Sequence, residues 1–177
     1  MKLRVSGLIA FLVFAAFVGV ASAGEEPKDP LLGKPAPEIK LKDVDGKEWK
    51  LSSLKVKKVV LLDFGRSVCL PCRKTAKDLQ ALHEKYGKKG LQVFQVNLDG
   101  PGADKMIAEY AKEEKLTFPF LRDVEFKTAQ DYKVRVIPHL VLIDRWGKVR
   151  YVHQGYQDDL IKVLSKKIEP LLPKQRK

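Results

Sequence analysis

The feature that most constrains the fold is a nearly unbroken apolar run at residues 59–64, interrupted only by Asp63 and closed by Gly65. Successive side chains of a strand point to opposite faces, so a strand of this composition must be covered on both sides. Such strands lie in sheets that carry helices on both faces. A helical pattern begins a few residues later, near Cys69 and Cys72. We therefore expect an α/β domain with a dithiol where a buried strand meets a helix.

The segments around this strand complete the predicted architecture. Alternating residues at 39–41 and 49–51 flank Asp45-Gly46, which predicts a β-hairpin ahead of the main sheet. The later segments are a helix at 76–86, a strand at 91–98, a helix at 103–111, short segments at 118–121 and 126–132, a hairpin at 140–152 and an amphipathic helix at 160–168. This order predicts a central mixed β-sheet flanked by helices on both faces, with an N-terminal β-hairpin extension.

The first 23 residues have the pattern of an export signal. A charged start is followed by an uncharged apolar stretch at residues 8–20 and then by Ala21-Ser22-Ala23, a small-x-small cleavage pattern. The apolar stretch is shorter than the roughly 20 residues that span a bilayer. We expect a cleavable signal peptide at 1–23 and a periplasmic or otherwise extracytoplasmic protein, with an uncleaved membrane anchor as the alternative.

The remaining chain has the length of one domain. We expect a flexible lead at 24–31, a single domain at 32–170 and a basic tail at 171–177. The net charge of +12 is spread along the sequence. We interpret it as a solvated surface, with acidic partners or anionic lipid headgroups as the alternative. The sequence carries no helix-turn-helix or zinc-finger pattern, so we expect no nucleic acid partner, and we expect a monomer.

Cys69 and Cys72 are the only cysteines of the chain. A thiol at a helix start meets unpaired backbone N–H groups and the positive end of the helix dipole, which favour its nucleophilic thiolate. We assign the attack to Cys69, the exposed first cysteine, and the resolution of the mixed disulfide to Cys72. A structural staple is the alternative, although a loop this short gives only about 2 kcal/mol. A redox-active Cys69–Cys72 disulfide is therefore predicted, with no other cofactor.

Three landmarks together give a resemblance to a known family. They are the residues Gly33-Lys34-Pro35-Ala36-Pro37, the motif Cys69-Leu70-Pro71-Cys72 after Asp63-Phe64, and Ile137-Pro138 ahead of the strand at 140–143. With these landmarks the chain resembles the exported thiol:disulfide oxidoreductases of the TlpA/ResA type, which have the thioredoxin fold. The resemblance runs from about residue 32 to residue 168.

The resemblance implies roles for residues around the dithiol. Leu70 and Pro71 form the active-site turn, and Pro71 also fits the first turn of a helix. Pro138 is expected to be cis and to face the dithiol, so that the backbone of Ile137 pairs with an extended substrate segment. Asp63 matches a buried acid, and its place in an apolar strand predicts a raised pKa and a role as proton acceptor for Cys72.

Four positions depart from the family pattern. Val68 replaces the usual Trp before the first cysteine, and Gly65 replaces an aromatic residue. Thr75 stands where the family has Glu, and Gln95 where classical thioredoxins have Lys. The first two differences predict a less aromatic and more open surface around the dithiol.

A metal-binding or metal-delivery module is the alternative function. Two thiolates and an imidazole suit Cu(I) or Zn, and His139 follows Pro138. The copper-chaperone relatives of this fold space their cysteines differently, so we expect no metal ligands. We place His139 in a partly exposed loop and interpret His83 and His153 as structural. A peroxiredoxin is disfavoured, because its motif requires Pro and Thr where this chain has Leu62 and Arg66.

The dipeptide within the motif favours reduction over oxidation. Strong oxidants of this fold carry a His between the cysteines, whereas this chain carries Leu70-Pro71. The resemblance implies protein disulfide substrates, with the haem-site cysteines of apocytochrome c as the suggested class. It also implies a membrane thiol-electron donor, because a reductant in an oxidising compartment must be supplied with electrons.

Overall fold

The computed structural model describes residues 29–174, and its elements follow the predicted order. They are β1 Lys40–Lys42, β2 Glu48–Lys50, β3 Val59–Gly65, α1 Leu70–Tyr86, β4 Leu91–Asn97, α2 Asp104–Glu113, β5 Phe120–Arg122, α3 Lys127–Asp131, β6 His139–Ile143, β7 Val149–Gln154 and α4 Leu160–Ile168. The strands β1 and β2 pair as the predicted N-terminal hairpin. Gly46 occupies its turn with φ +83°, a conformation that favours glycine.

The main sheet has five strands in the order β5-β4-β3-β6-β7. The strands β3, β4 and β5 run parallel, whereas β6 pairs antiparallel with both β3 and β7. All seven residues of β3 are buried at the centre of this sheet. The predicted mixed sheet is therefore confirmed, and the carboxyl end of its central strand leads directly into the dithiol.

Helices and the N-terminal hairpin cover the two faces of the sheet. One face packs Val59 and Leu61 of β3 against buried residues of α1, α2 and α4. The other face packs Leu62 and Phe64 against α3 and against Trp49 of the hairpin. Alternation along β3 therefore puts Asp63 on the same face as Leu61, beneath α1.

Residues near both ends of the expected domain pack onto its core. Leu31 is buried in the core, and two residues further on the Gly33 N–H donates to the Val149 carbonyl at 2.8 Å. At the other end a 3₁₀ turn, Glu169–Leu171, follows α4, and Pro173 lies against Gly90. The limits of the lead, the domain and the tail stay predictions.

The predicted signal peptide at 1–23 and the last residues of the basic tail lie outside the described residues. Within residues 29–174, no helix combines the length and the apolar composition that spanning a membrane requires.

Candidate active site

The dithiol sits at the first turn of α1. Cys69 and Cys72 are joined by a disulfide, with 5.2 Å between their Cα atoms. Cys69 is the N-cap residue of the helix, and its Sγ accepts a hydrogen bond from the Cys72 N–H at 3.3 Å. The Cys69 N–H donates to the Arg66 carbonyl at 3.2 Å, which fixes the turn after β3. The helix start therefore presents an N–H group to the Cys69 sulfur, as stabilisation of a thiolate requires.

The two cysteines differ in exposure. Cys69 is partly exposed, whereas Cys72 is completely buried. Val68 and Leu70 beside Cys69 are among the most exposed apolar side chains of the described residues. An incoming disulfide therefore reaches Cys69 first, and Cys72 can react only with a sulfur that is already bound to Cys69.

The backbone of Gly65 lies close under Cys72. A Cβ atom at this position would be 3.3 Å from the Cys72 Cβ and 3.5 Å from its Sγ. The expectation that Gly65 opens the surface is wrong, because the residue is buried and the space above it is filled by Cys72. Of the two replacements at Val68 and Gly65, only Val68 adds exposed surface at the site.

Asp63 is fully buried on the α1 face of β3. Its Oδ2 accepts a hydrogen bond from the Gln95 Nε2 at 3.2 Å, and its Oδ1 has no partner within the described part of the chain. Burial raises the pKa of the Asp63 carboxyl from 3.8 to about 7, and the Gln95 hydrogen bond opposes the rise. The predicted desolvation is therefore present, and Asp63 can exchange a proton near neutral pH.

Gln95 lies near the dithiol as well as near Asp63. A Cβ atom built on Gly65 would be 3.7 Å from the Gln95 Nε2 and 3.5 Å from the Cys72 Sγ. The Asp63 carboxyl, the Gln95 amide and the Cys72 sulfur therefore form a group of buried side chains on the α1 face of the sheet. The sequence placed Gln95 near Asp63 only through the resemblance.

Tyr110 also belongs to this group, although the helical spacing of α2 suggested only a core residue. Burial, followed by the charge of Asp63, raises the pKa of its phenol. The Arg73 guanidinium lies 4.8 Å from the centre of the Tyr110 ring. The Arg73 Nε also donates to Glu114 Oε1 at 3.1 Å. The sequence contained no signal for this arrangement, because α1 and α2 meet only in the folded chain.

The Ile137–Pro138 peptide bond is cis, as predicted. Pro138 is buried, and its carbonyl accepts from the Gly155 N–H at 2.8 Å. The next residue, His139, pairs with Phe64 near the end of β3, so the cis bond lies at the sheet end that carries the dithiol. Within residues 29–174, neither backbone polar group of Ile137 has a backbone partner. Both remain available to an extended chain.

His139 does not lie in a partly exposed loop, and that expectation is corrected. It begins β6, where Phe64 and Gln154 pair with it on either side, and it is completely buried. Its ring packs edge-on against Phe64, with 5.9 Å between the ring centres. Burial lowers the pKa of this imidazole, which favours the neutral form.

Metal coordination gains no support from the described residues. Between residues 29 and 174, no three His, Cys, Asp or Glu side chains are grouped so that they could hold a metal ion. His83 packs against Phe118, in agreement with a structural role.

Comparisons with known proteins agree with this geometry. Residues 32–152 match the model of the AhpC/TSA family. The chain is 30% identical to the thiol-disulfide oxidoreductase ResA of Bacillus cereus, over 95% of this chain and 92% of that protein. The crystal structure of a putative thiol:disulfide interchange protein DsbE from Chlorobium tepidum has a TM-score of 0.72 and 34% identity, over 79% of this chain and 96% of that chain. The solution structure of a putative protein disulfide isomerase from Bacteroides thetaiotaomicron also has a TM-score of 0.72, with 28% identity over 80% and 89% of the two chains.

Proposed function

Since the chain belongs to the AhpC/TSA family and is a thioredoxin-fold thiol-disulfide oxidoreductase of the ResA type, we propose that it reduces protein disulfides outside the cytoplasm. The observation that carries this proposal is the asymmetric cysteine pair. One sulfur is accessible at a helix start, and the other is buried near a carboxyl with a pKa of about 7.

Reduction proceeds in two exchange steps. The Cys69 thiolate attacks one sulfur of the substrate disulfide, which forms a mixed disulfide and expels the other substrate sulfur as a thiolate. Cys72 then gives its proton to Asp63, and the Cys72 thiolate attacks the Cys69 sulfur. The bond between Cys69 and the substrate breaks, and the second substrate thiolate leaves. The substrate gains two electrons, and the protein ends with the Cys69–Cys72 disulfide seen in this structure.

The segment after α3 positions the substrate. The N–H and C=O of Ile137, which have no backbone partner within residues 29–174, pair with an extended segment that carries the substrate disulfide. Pairing of this type holds the incoming chain in place, because main-chain hydrogen bonds bind an extended peptide to an exposed backbone edge.

Two sequence features support a direction of electron transfer and a location for the protein. Leu70 and Pro71 contribute no imidazole to the Cys69 sulfur, which supports a reductant rather than an oxidant. The export signal predicted at 1–23 supports a periplasmic site. We propose apocytochrome c disulfides as substrates and a membrane thiol-electron donor that returns two electrons to the Cys69–Cys72 disulfide.

Trapping of mixed disulfides tests this proposal. Cys72→Ser leaves the accessible Cys69 able to attack but removes the thiol that releases the substrate. We expect covalent complexes of the variant with protein substrates to accumulate on non-reducing gels and to disappear with dithiothreitol. The control is Cys69→Ser, which retains only the buried Cys72 and is expected to trap nothing. Complexes formed by the Cys69→Ser variant alone would reverse the two roles.

A further inference from the structure

Two arginines line one groove beside the dithiol. The groove has a volume of about 250 Å³ and runs between the turn that precedes Cys69, the start of α3 and the loop that ends in Ile137. Arg66, Phe126, Val134 and Arg135 all line it. The groove therefore continues the surface on which an extended substrate is proposed to bind.

Local hydrogen bonds order the backbone around both arginines. The Arg66 carbonyl accepts from the Cys69 N–H at 3.2 Å, so this residue holds a set distance from the attacking sulfur. Arg135 lies in a short loop tied at one end by the Val134 N–H, which donates to the Ala129 carbonyl at 2.9 Å. The other end of the loop is the cis peptide at Ile137–Pro138. Both guanidinium groups are thus carried on backbone that is already ordered.

The two arginines of this groove form no ion pair with the described residues. Within residues 29–174, neither Arg66 nor Arg135 has a carboxylate within 4 Å, although Arg73 and Arg122 on the same molecule both form ion pairs. Lys127, at the start of α3, is neutralised by Asp131 at 2.8 Å. The positive charge of the groove is therefore concentrated on two side chains that remain free to bind an anion.

Phe126 adds an apolar side chain to the lining of the groove. It has φ +57°, which is uncommon for a residue with a bulky side chain, and its ring is about one-third exposed. The Arg66 guanidinium lies 5.8 Å from the centre of this ring. An aromatic surface beside two cations suits a side chain that has an apolar stem and an anionic head, and Glu and Asp in an extended polypeptide have this form.

We propose that this groove binds an acidic residue of the substrate polypeptide, close to the disulfide that Cys69 attacks. The inference rests on the proposed function, since it names the substrate class of the same site: disulfide-containing segments with Asp or Glu near the cysteine. The carboxylate pairs with Arg66 and Arg135, and the adjoining backbone pairs with Ile137.

The expected effect is moderate because both guanidinium groups are exposed. One exposed ion pair changes an equilibrium by roughly two- to fivefold. Two arginines acting on one carboxylate are therefore expected to give about a tenfold preference in kcat/KM for an acidic over a basic peptide. Salt screens exposed charges, so this preference falls as ionic strength rises.

Two synthetic peptides test the proposal. Each contains the same intramolecular disulfide and the same sequence except for three flanking residues, which are Glu in one and Lys in the other. The readout is the ratio of kcat/KM for the two peptides, measured with the reduced full chain at about 0.02 M and about 0.5 M NaCl. We expect the acidic peptide to be preferred about tenfold at low salt and about twofold or less at high salt.

Three variants assign the preference to the groove. Arg66→Ala/Arg135→Ala is expected to bring the ratio close to one, and Arg66→Glu/Arg135→Glu to invert it. Lys88→Ala/Lys89→Ala removes two charges between α1 and β4, at the opposite end of the sheet, and is expected to keep the wild-type ratio. A wild-type ratio near one, or a ratio that survives both arginine replacements, would overturn the inference. Failure to reduce either peptide would instead contradict the proposed reductase function.

Discussion

Cys69→Ser is expected to reduce the rate of disulfide reduction by roughly 10³-fold or more, to the background of uncatalysed exchange. The variant loses the accessible thiol of the pair, and the remaining Cys72 is completely buried against Gly65. Reduction of insulin disulfides by the protein, with a dithiol donor in excess, measures the loss.

This replacement separates chemistry from folding. Cys69 is the N-cap of α1 and accepts a hydrogen bond there, and Ser is among the preferred N-cap residues. The variant is therefore expected to keep the wild-type circular dichroism spectrum and a thermal midpoint close to that of the reduced wild type. Substantial turnover by folded Cys69→Ser would mean that Cys72 attacks substrates and that the assignment of roles is wrong.

Asp63→Asn is expected to slow the release of mixed disulfides roughly tenfold near pH 7.5. General-base help is typically worth 10²–10⁴-fold, but a free thiol is already a few per cent thiolate at pH 7, so we expect an effect of about tenfold, below that range. Asp63 accepts a proton only when ionised, that is, above its pKa of about 7. The advantage of the wild type therefore grows as the pH rises through about 7.

Stopped-flow turnover of a model disulfide between pH 6 and 9 measures this profile, and alkylation of Cys69 should remain largely unchanged. The matched control is Asp144→Asn, which alters another buried carboxylate at the β6–β7 turn, far from the dithiol. It is expected to leave the kinetic profile unchanged. Identical profiles for wild type and Asp63→Asn would remove Asp63 from the mechanism.

The same substitution has a signature in stability. The raised pKa means that native Asp63 holds a proton between about pH 4 and pH 7 while the unfolded chain has lost it. The free energy of unfolding of the oxidised wild type therefore falls as pH rises through this window, by about 4 kcal/mol at most. Asp63→Asn lacks this fall. The free energy of unfolding of the variant should therefore increase relative to that of the wild type as the pH rises from 4 to 7. Urea unfolding at both pH values measures the difference.

The sequence determined the centre of the fold because the relevant signals are local. The two-sided apolar pattern at 59–64 requires helices on both faces, and the spacing of Ala76, Leu79, Leu82 and Tyr86 defines the buried side of α1. The burial of Asp63 followed from its place in that strand. These features depend on residues that are neighbours in the chain.

Other features depend on segments that meet only in the fold. Burial of His139 depends on its pairing with both β3 and β7, and the contact of Gly65 with Cys72 depends on the angle between β3 and α1. The approach of Tyr110 to Asp63 and the shared groove of Arg66 and Arg135 have the same origin. The cis bond at Pro138 was predicted from family resemblance, since an X–Pro sequence alone predicts a trans bond.

The reduction potential of the Cys69–Cys72 pair is the most direct test of the central claim that this protein is a reductant. The full chain is equilibrated with dithiothreitol buffers of defined potential, and the free thiols are counted by mass after alkylation. The account predicts a single two-electron transition near the roughly −270 mV of thioredoxin. A potential near the roughly −120 mV of DsbA would contradict it, because a pair with that potential oxidises its substrates.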